Sequence, residues 1–227
     1  MNNQPITKQD LSRDGVLRPF LVKEIFTSIQ GEGLLTGHSA TFIRFGGCNL
    51  KCTWCDTEYS ENLQELMIEE IIAKIPQFPS LIVITGGEPF LQNISDLVKT
   101  LIVNGFTVQI ETNGTLTNPK FPWKDTFIVC SPKAGKLHED IVQNVGHYKY
   151  VVGVEDKGCV NGIPNTKTQE RAGTPQQPDE KTPVYLMPKD GETPEEQKAN
   201  EIVTQHIVMS HPNRILSLRV HKILGVR

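Results

Sequence analysis

The sequence predicts an α/β protein with a mainly parallel sheet, on three observations. Strand-like apolar runs alternate with segments of helical period along the chain. The run Leu81-Ile82-Val83-Ile84 is continuously apolar, as in a strand buried on both faces. The unusual polar and glycine residues gather where the runs end, which is where parallel α/β proteins place their ligands. At 227 residues the chain can bury a sizeable core, yet it falls short of the roughly 250 residues of a full eight-unit barrel. One domain over residues 1–227, built as a shortened barrel, is the expectation.

Taken in order, a polar leader gives way to Phe20–Phe26 and then to the loop Thr27-Ser28-Ile29-Gln30-Gly31-Glu32-Gly33, whose glycines permit close backbone approach. Ala40–Phe45 reads as the first strand, with Arg44 set among apolar neighbours. An arginine there needs an anionic partner, and a structural Asp or Glu would serve as well as a substrate carboxylate. Gly46 and Gly47 turn the chain into a cysteine loop. Met67, Ile71, Ile72 and Ile75 share one face of a helix from Met67 to Ile75, closed by Pro76. The strand Leu81–Ile84 ends in Thr85-Gly86-Gly87-Glu88-Pro89, where the glycines would admit a ligand and Glu88 could accept from a positively charged amino group.

A second crossover helix, Ile94–Asn104, carries Ile94, Leu97, Val98, Leu101 and Ile102 at helical spacing and stops at Gly105. Strands follow at Phe106–Ile110, ending in Glu111-Thr112-Asn113-Gly114, at Thr126–Cys130, ending in Ser131-Pro132-Lys133, and at Tyr148–Val152. Residues 153–183 are polar and rich in Gly, Pro, Gln and Thr, and read as a long loop inserted in the domain. Val184–Met187 resumes as a short strand. A last helix is signed by Thr193 as N-cap, Pro194 at N1 and Glu196 at N3 in a capping box, with Ala199, Ile202, Val203, His206 and Ile207 on one face and His206 partly buried there. Ile215–Leu218 reads as the final strand.

A net charge of −3 gives no basic excess, so nucleic acid is not an expected partner. No apolar run approaches the 18 or so residues that span a bilayer, and Met1–Asp10 lacks the apolar core of a signal peptide. A cytoplasmic protein with no membrane partner is expected. Five cysteines, three of them clustered, fit metal ligation in a reducing compartment better than a disulfide framework. Cys130 ends an apolar strand and Cys159 sits in a polar loop; neither receives a function.

The stretch Cys48-Asn49-Leu50-Lys51-Cys52-Thr53-Trp54-Cys55-Asp56-Thr57 places three thiols in CxxxCxxC spacing. A four-iron, four-sulfur cluster held by three thiolates keeps one iron open to chelate a small molecule through an amine and a carboxylate. Structural zinc would want a fourth Cys or His, and none lies in this segment. Packing of the thiols as small hydrophobes is opposed by the interleaved Asn49, Lys51, Thr53 and Asp56.

With CxxxCxxC followed by a strand ending in Gly-Gly-Glu-Pro, the chain resembles the radical S-adenosylmethionine enzymes. The ordered set Gln30-Gly31-Glu32-Gly33, Arg44, Cys55-Asp56-Thr57, Thr85-Gly86-Gly87-Glu88-Pro89, Glu111-Thr112-Asn113-Gly114 and Ser131-Pro132-Lys133 further resembles the 7-carboxy-7-deazaguanine synthase family. The resemblance implies a shortened, modified (β/α) barrel, paired as a homodimer. It implies a lyase of queuosine biosynthesis that turns 6-carboxy-5,6,7,8-tetrahydropterin into 7-carboxy-7-deazaguanine with loss of ammonia, through a radical ring contraction. A 4Fe-4S cluster on Cys48, Cys52 and Cys55, S-adenosylmethionine on its open iron, and Mg2+ at Thr57 are implied with it.

By the same resemblance Ile29, Gln30, Gly31, Glu32, Arg44 and Thr85 face the pterin, with His221 as a further contact from the C-terminal segment. Trp54, Cys55, Asp56, Gly86, Gly87, Glu88, Asn113, Ser131, Pro132 and Lys133 are implied cofactor contacts, and the loop at Met187, Pro188 and Lys189 closes that side. Met187 stands where many relatives carry glutamine. An electron donor such as a flavodoxin is the implied partner. A glycyl-radical activating enzyme shares the cysteine and Gly-Gly-Glu-Pro motifs but must admit a protein loop, which Arg44 and the Gln-Gly-Glu-Gly loop do not suit. A non-enzymatic iron–sulfur carrier would need no array of polar strand-end loops.

Overall fold

The computed structural model describes residues 18–55, 57–157, 159–164, 175, 176, 178 and 181–227. Its strands, β1 (Phe20–Ile29), β2 (Ser39–Phe45), β3 (Gln64–Leu66), β4 (Leu81–Gly86), β5 (Thr107–Thr112), β6 (Thr126–Cys130), β7 (His147–Val152), β8 (Val184–Pro188) and β9 (Arg214–Leu216), form one sheet in the order β3-β1-β2-β4-β5-β6-β7-β8-β9. From β2 through β9 every neighbouring pair is parallel, whereas β1 pairs antiparallel with both β2 and β3. The α/β expectation holds, with an antiparallel extension at one edge.

Alternation within the strands sorts the chain into two faces. Ile43 and Phe45, Ile82 and Ile84, Val108 and Ile110, Ile128 and Cys130, and Tyr148 and Tyr150 all belong to one buried apolar cluster. Helix α2 (Ser95–Val103) packs Leu97, Val98 and Leu101 into this cluster. Burying each such side chain contributes about 1.5–3 kcal/mol. The opposite face changes character along the strands, from Leu81 and Val83 to Thr85 on β4, and carries Gln109 and Glu111 on β5 and His147 and Lys149 on β7. Polar side chains therefore collect toward the C-terminal ends of the parallel strands.

The sheet curls until its far end meets its near end. Ser217, just past β9, accepts from the Gly33 N–H at 3.0 Å, and the Val220 N–H donates to the Gly31 carbonyl at 3.1 Å. Helix α5 (Val220–Ile223) thus lies over the loop after β1, and Arg227 pairs with Glu24 on β1. The shortened barrel is completed by the C-terminal segment: the sheet pairings run from β3 to β9 without joining those two strands.

Several local expectations are revised. The strand at Ala40 is the second, because β1 precedes it; Lys23, Glu24, Thr27 and Ser28 break the apolar pattern of β1, whose mostly half-buried residues need no continuous apolar run. Helices α1 (Ile68–Lys74) and α2 fall within their expected spans, but α3 (Glu139–Asn144) and α5 are too short to show a period. The last strand is Arg214–Leu216 rather than Ile215–Leu218. On α4 (Pro194–Ser210) the Thr193 hydroxyl accepts from the Glu196 N–H as expected, yet the Glu196 carboxylate turns to the Glu192 N–H, so the capping box is half formed.

Ile207 is buried as expected, but His206 is exposed, as is Ile202 at 55%, because Asn200 and Thr204 share the docking face with Ile207. Asn200 bonds the Val154 N–H and the Lys189 carbonyl, so a polar side chain fills a place the apolar pattern assigned elsewhere. Of the inserted loop, the described part is anchored: Asp156 caps the Gly153 N–H, and Gln176 accepts at its carbonyl from the Tyr150 hydroxyl. Residues 165–174 of that loop lie outside the described residues. Among the described residues no helix is long and apolar enough to cross a membrane.

Candidate functional site

A cavity of about 400 Å³ opens at the C-terminal ends of the parallel strands. Its wall takes residues from nearly every strand end, including Cys48, Cys52 and Cys55, Thr57, Gly86 and Gly87, Asn113, Ser131 and Lys133, and Met187. The cysteine loop is tied into place by backbone. Gly46 N–H donates to Leu21, Gly47 N–H donates to Tyr59, and the Gly47 carbonyl accepts from the Glu88 N–H at 2.9 Å. A Cβ at Gly87 would lie 1.9 Å from the Gly47 oxygen and 3.0 Å from Cys48 Cβ, so only glycine lets these two loops touch.

The three thiols face one shared cavity, while among the described residues no three His, Cys, Asp or Glu side chains form a group able to hold a metal ion. That spread suits a cluster in which each thiolate meets a different iron. Burial pushes the Cys48 thiol up to about 12, so a thiolate there needs a cation beside it. Iron meets that need, and the donor set fits an iron–sulfur cluster. The five cysteines form no disulfide with one another.

A second cavity of about 110 Å³ adjoins the first, and both walls include Glu32, Arg44, Thr85, Glu111 and His221. Ile29, Gln30 and Gly31 complete its inner side with Phe26, Phe42 and Arg227. All of Ile29, Gln30, Gly31, Glu32, Arg44, Thr85 and His221, expected from sequence around one ligand, meet here. Arg44 Nε lies 3.3 Å from Glu24 Oε1 but makes no hydrogen bond, leaving a buried donor without a hydrogen-bond partner in the cavity wall. Glu24 is shared with Arg227, so the structural partner of Arg44 is only part of its charge balance.

Between the cavities lies a buried charge network. Glu111 Oε1 accepts from Gln30 at 3.0 Å and Gln109 at 3.2 Å; its Oε2 accepts from Thr85 at 3.4 Å and Lys149 at 3.5 Å. Lys149 also donates to Glu32 at 2.6 Å, and Arg219 Nε stands 3.5 Å from the other Glu32 oxygen. Burial disfavours the Glu32 charge, but Lys149, then Arg219 and His221, outweigh it and hold the carboxyl at about 2. Burial lowers His221, against the opposing pull of Glu32.

The remaining expected contacts separate. Lys133 sits over the Trp54 ring at 4.9 Å and donates to Ser131. Pro132 and Lys189 line a small side pocket with Trp54, and Lys189 pairs with Glu155 at 2.7 Å. Pro188 is the buried end of β8. Glu88 turns away from the cavity: it is 0% exposed and accepts from the Phe90 and Asn113 N–H groups and the Thr112 hydroxyl. Its carboxylate is used within the fold, and burial raises it to about 7. Asp56 lies outside the described residues.

Glu111, Lys149 and Arg219 were not singled out as site residues. Lys149 carries the same signal as Arg44, a charge inside an apolar strand.

Residues 42–125 match the radical SAM superfamily. A 7-carboxy-7-deazaguanine synthase from Rhodospirillum rubrum is 38% identical over 181 residues, 74% of each chain, and one from Rickettsia prowazekii is 35% identical over 230 residues, 95% of this chain and 92% of its own. The chain belongs to the 7-carboxy-7-deazaguanine synthase family. The crystal structure of QueE from Escherichia coli superposes on this member with a TM-score of 0.67 at 25% identity, covering 88% of this chain and 93% of that one. Membership in this radical SAM family implies a 4Fe-4S cluster and S-adenosylmethionine, the groups that the cysteine-lined cavity suits.

Proposed function

We infer that the protein is a 7-carboxy-7-deazaguanine synthase, converting 6-carboxy-5,6,7,8-tetrahydropterin to 7-carboxy-7-deazaguanine with loss of ammonia. The observation that carries this reading is the pair of adjoining cavities, one lined by three thiols and the other by Arg44 and fixed carboxylates. When bound, the cluster and S-adenosylmethionine supply the radical chemistry of the family. Cys48, Cys52 and Cys55 hold the cluster, with the Gly86–Gly87 backbone, Asn113, Ser131, Lys133 and Trp54 beside the cofactor. Arg44, which lines both cavities and shares its ion-pair partner Glu24 with Arg227, meets the pterin carboxylate. Thr57 offers a hydroxyl to Mg2+, a hard cation that takes few protein oxygens. The protein's contribution is to orient the heterocycle, exclude water and present fixed charges.

The chain works as one radical SAM domain carrying the 153–183 insertion, in the cytoplasm, as a homodimer, reduced by a small donor such as a flavodoxin. The deciding experiment is anaerobic turnover of reconstituted protein with S-adenosylmethionine and the pterin. The deazapurine product appears by mass spectrometry and vanishes in Cys52→Ala. Cleavage to 5′-deoxyadenosine without deazapurine would leave the radical chemistry standing and overturn the substrate.

Gly31 gives an independent check. A Cβ there would lie 1.9 Å from His221 Nδ1 and 2.9 Å from the His221 backbone nitrogen, so Gly31→Ala must push α5 off the smaller cavity. The expected result is a cluster-loaded protein whose KM for the pterin rises on the order of tenfold or more, since misplaced walls cost ligand positioning. An unchanged KM would remove His221 from the substrate site.

A further inference from the structure

We propose that Lys149 is a positioning residue of the substrate cavity, its ammonium group holding the carboxylates of Glu32 and Glu111 in one fixed arrangement against the ligand. The identity of that ligand rests on the function inferred above; the clamp itself rests on geometry. Lys149 projects from β7 and is 6% exposed. It reaches Glu32, in the loop after β1, at 2.6 Å and Glu111, on β5, at 3.5 Å, and so ties the two sides of the curled sheet together across the cavity. A buried lysine costs stability unless paired, and this one is paired twice.

The arrangement sets what the two carboxylates can do. With Gln30, Gln109, Thr85 and Lys149 as donors, all acceptor positions of Glu111 are engaged, and Gln30 and Thr85, which line the smaller cavity, are thereby held to it. Glu32 is met by Lys149, Arg219 and His221. The other charged or titratable groups around the network are His147 on the same strand as Lys149, Arg44 of β2 on the shared cavity wall and, at one remove, Asp190, which engages Arg219 and Lys222. Without the ammonium group, two carboxylates would share the cavity with Arg219 and His221 beside Glu32, and with Arg44, itself paired with Glu24, on the shared wall. Like charges crowded in a buried site retain a proton between them, so one wall of the cavity would change from acceptor to donor. A heterocycle presenting N–H groups would then meet a mismatched partner.

The test compares Lys149→Met and Lys149→Arg with the wild type, all cluster-loaded. Carbon-13 titration of the glutamate carboxyl groups, assigned through Glu32→Gln and Glu111→Gln, needs no substrate. In Lys149→Met the Glu32 carboxyl should titrate above its ordinary 4.5 instead of near about 2, and Lys149→Arg should keep it low. With pterin, kcat/KM should fall on the order of a hundredfold in Lys149→Met, mostly through KM, and its pH profile should gain an ionisation that Lys149→Arg removes. Should Lys149→Met not fold, Lys149→Gln carries the same readouts. A neutral variant that leaves both the carboxyl titration and the pH profile unchanged overturns the proposal. A wild type that makes no deazapurine while the titration shifts as expected overturns the inferred function and leaves the clamp standing.

Discussion

Alanine at position 87 is expected to leave a folded protein that loads little cluster and makes no product. The added methyl carbon would stand 1.9 Å from the Gly47 carbonyl oxygen and 2.5 Å from its carbon, and both are backbone atoms that cannot swing aside. Relief requires moving the Gly47–Cys48 segment, which is also held by Glu88 N–H to the Gly47 carbonyl and by Gly47 N–H to Tyr59. Such overpacking costs about 1–3 kcal/mol or more, and here the strain falls on the first cluster ligand. Iron and sulfide content, the visible absorbance of the reconstituted cluster and product formation should all drop together in Gly87→Ala. Gly146→Ala is the control. A Cβ there would meet only the Ile128 carbonyl at 3.4 Å, so loading and turnover should match the wild type. Full cluster loading in Gly87→Ala would mean that the contact between the two loops does not position Cys48.

Glu88→Ala should be the most destabilising side-chain truncation near the site. It strands two buried donors, the Phe90 N–H and the Thr112 hydroxyl, and the part-buried Asn113 N–H. Each buried donor costs about 1–3 kcal/mol when left unsatisfied, so the two buried ones alone put the loss on the order of 2–6 kcal/mol. The same carboxylate steadies the cluster loop at one remove, because Asn113 in turn donates from its side chain to Asn49. Burial holds the folded-state value of Glu88 at about 7, above its ordinary 4.5. The folded protein therefore keeps a proton that the unfolded chain has lost between these values. The stability contributed by that proton is fully present below 4.5 and is lost as pH rises through about 7. Chemical denaturation at about pH 5 and about pH 8 should show the wild type losing on the order of 3 kcal/mol relative to Glu88→Gln, which cannot ionise. Parallel behaviour of the two proteins would show that Glu88 is ionised throughout.

Much of this was legible in the chain because local pattern and tertiary need agree in buried parallel strands. Thr126–Cys130 was read to the residue, and Leu81–Ile84 and Tyr148–Val152 to within two residues at either end. Elements that form by pairing or docking rather than by their own period were not legible: the edge strand β3, the antiparallel β1 and the short α3 and α5. Of the face assigned to α4, Val203 and Ile207 pack on the core while His206 and Ile202 are exposed, since the Asn200 side chain docks the helix through hydrogen bonds to backbone groups that a hydropathy pattern does not show. For the site, the residues around the smaller cavity come from five separate stretches, and motif order alone brought them together.

By itself the sequence determined the α/β alternation, the three-thiol motif, the family and the set of loops that must meet at one mouth, because spacing and residue chemistry are local properties. Only the tertiary structure decided how those groups are used. It turned Glu88 inward as a brace, gave Arg44 an ion-pair partner in Glu24 that Arg227 shares, and brought Lys149, Glu32 and Glu111 into one network from segments up to 117 residues apart. The physical reason is that a side chain's charge and direction depend on what the curled sheet places opposite it. Closing the sheet through Ser217 and Val220 is what creates that opposite wall.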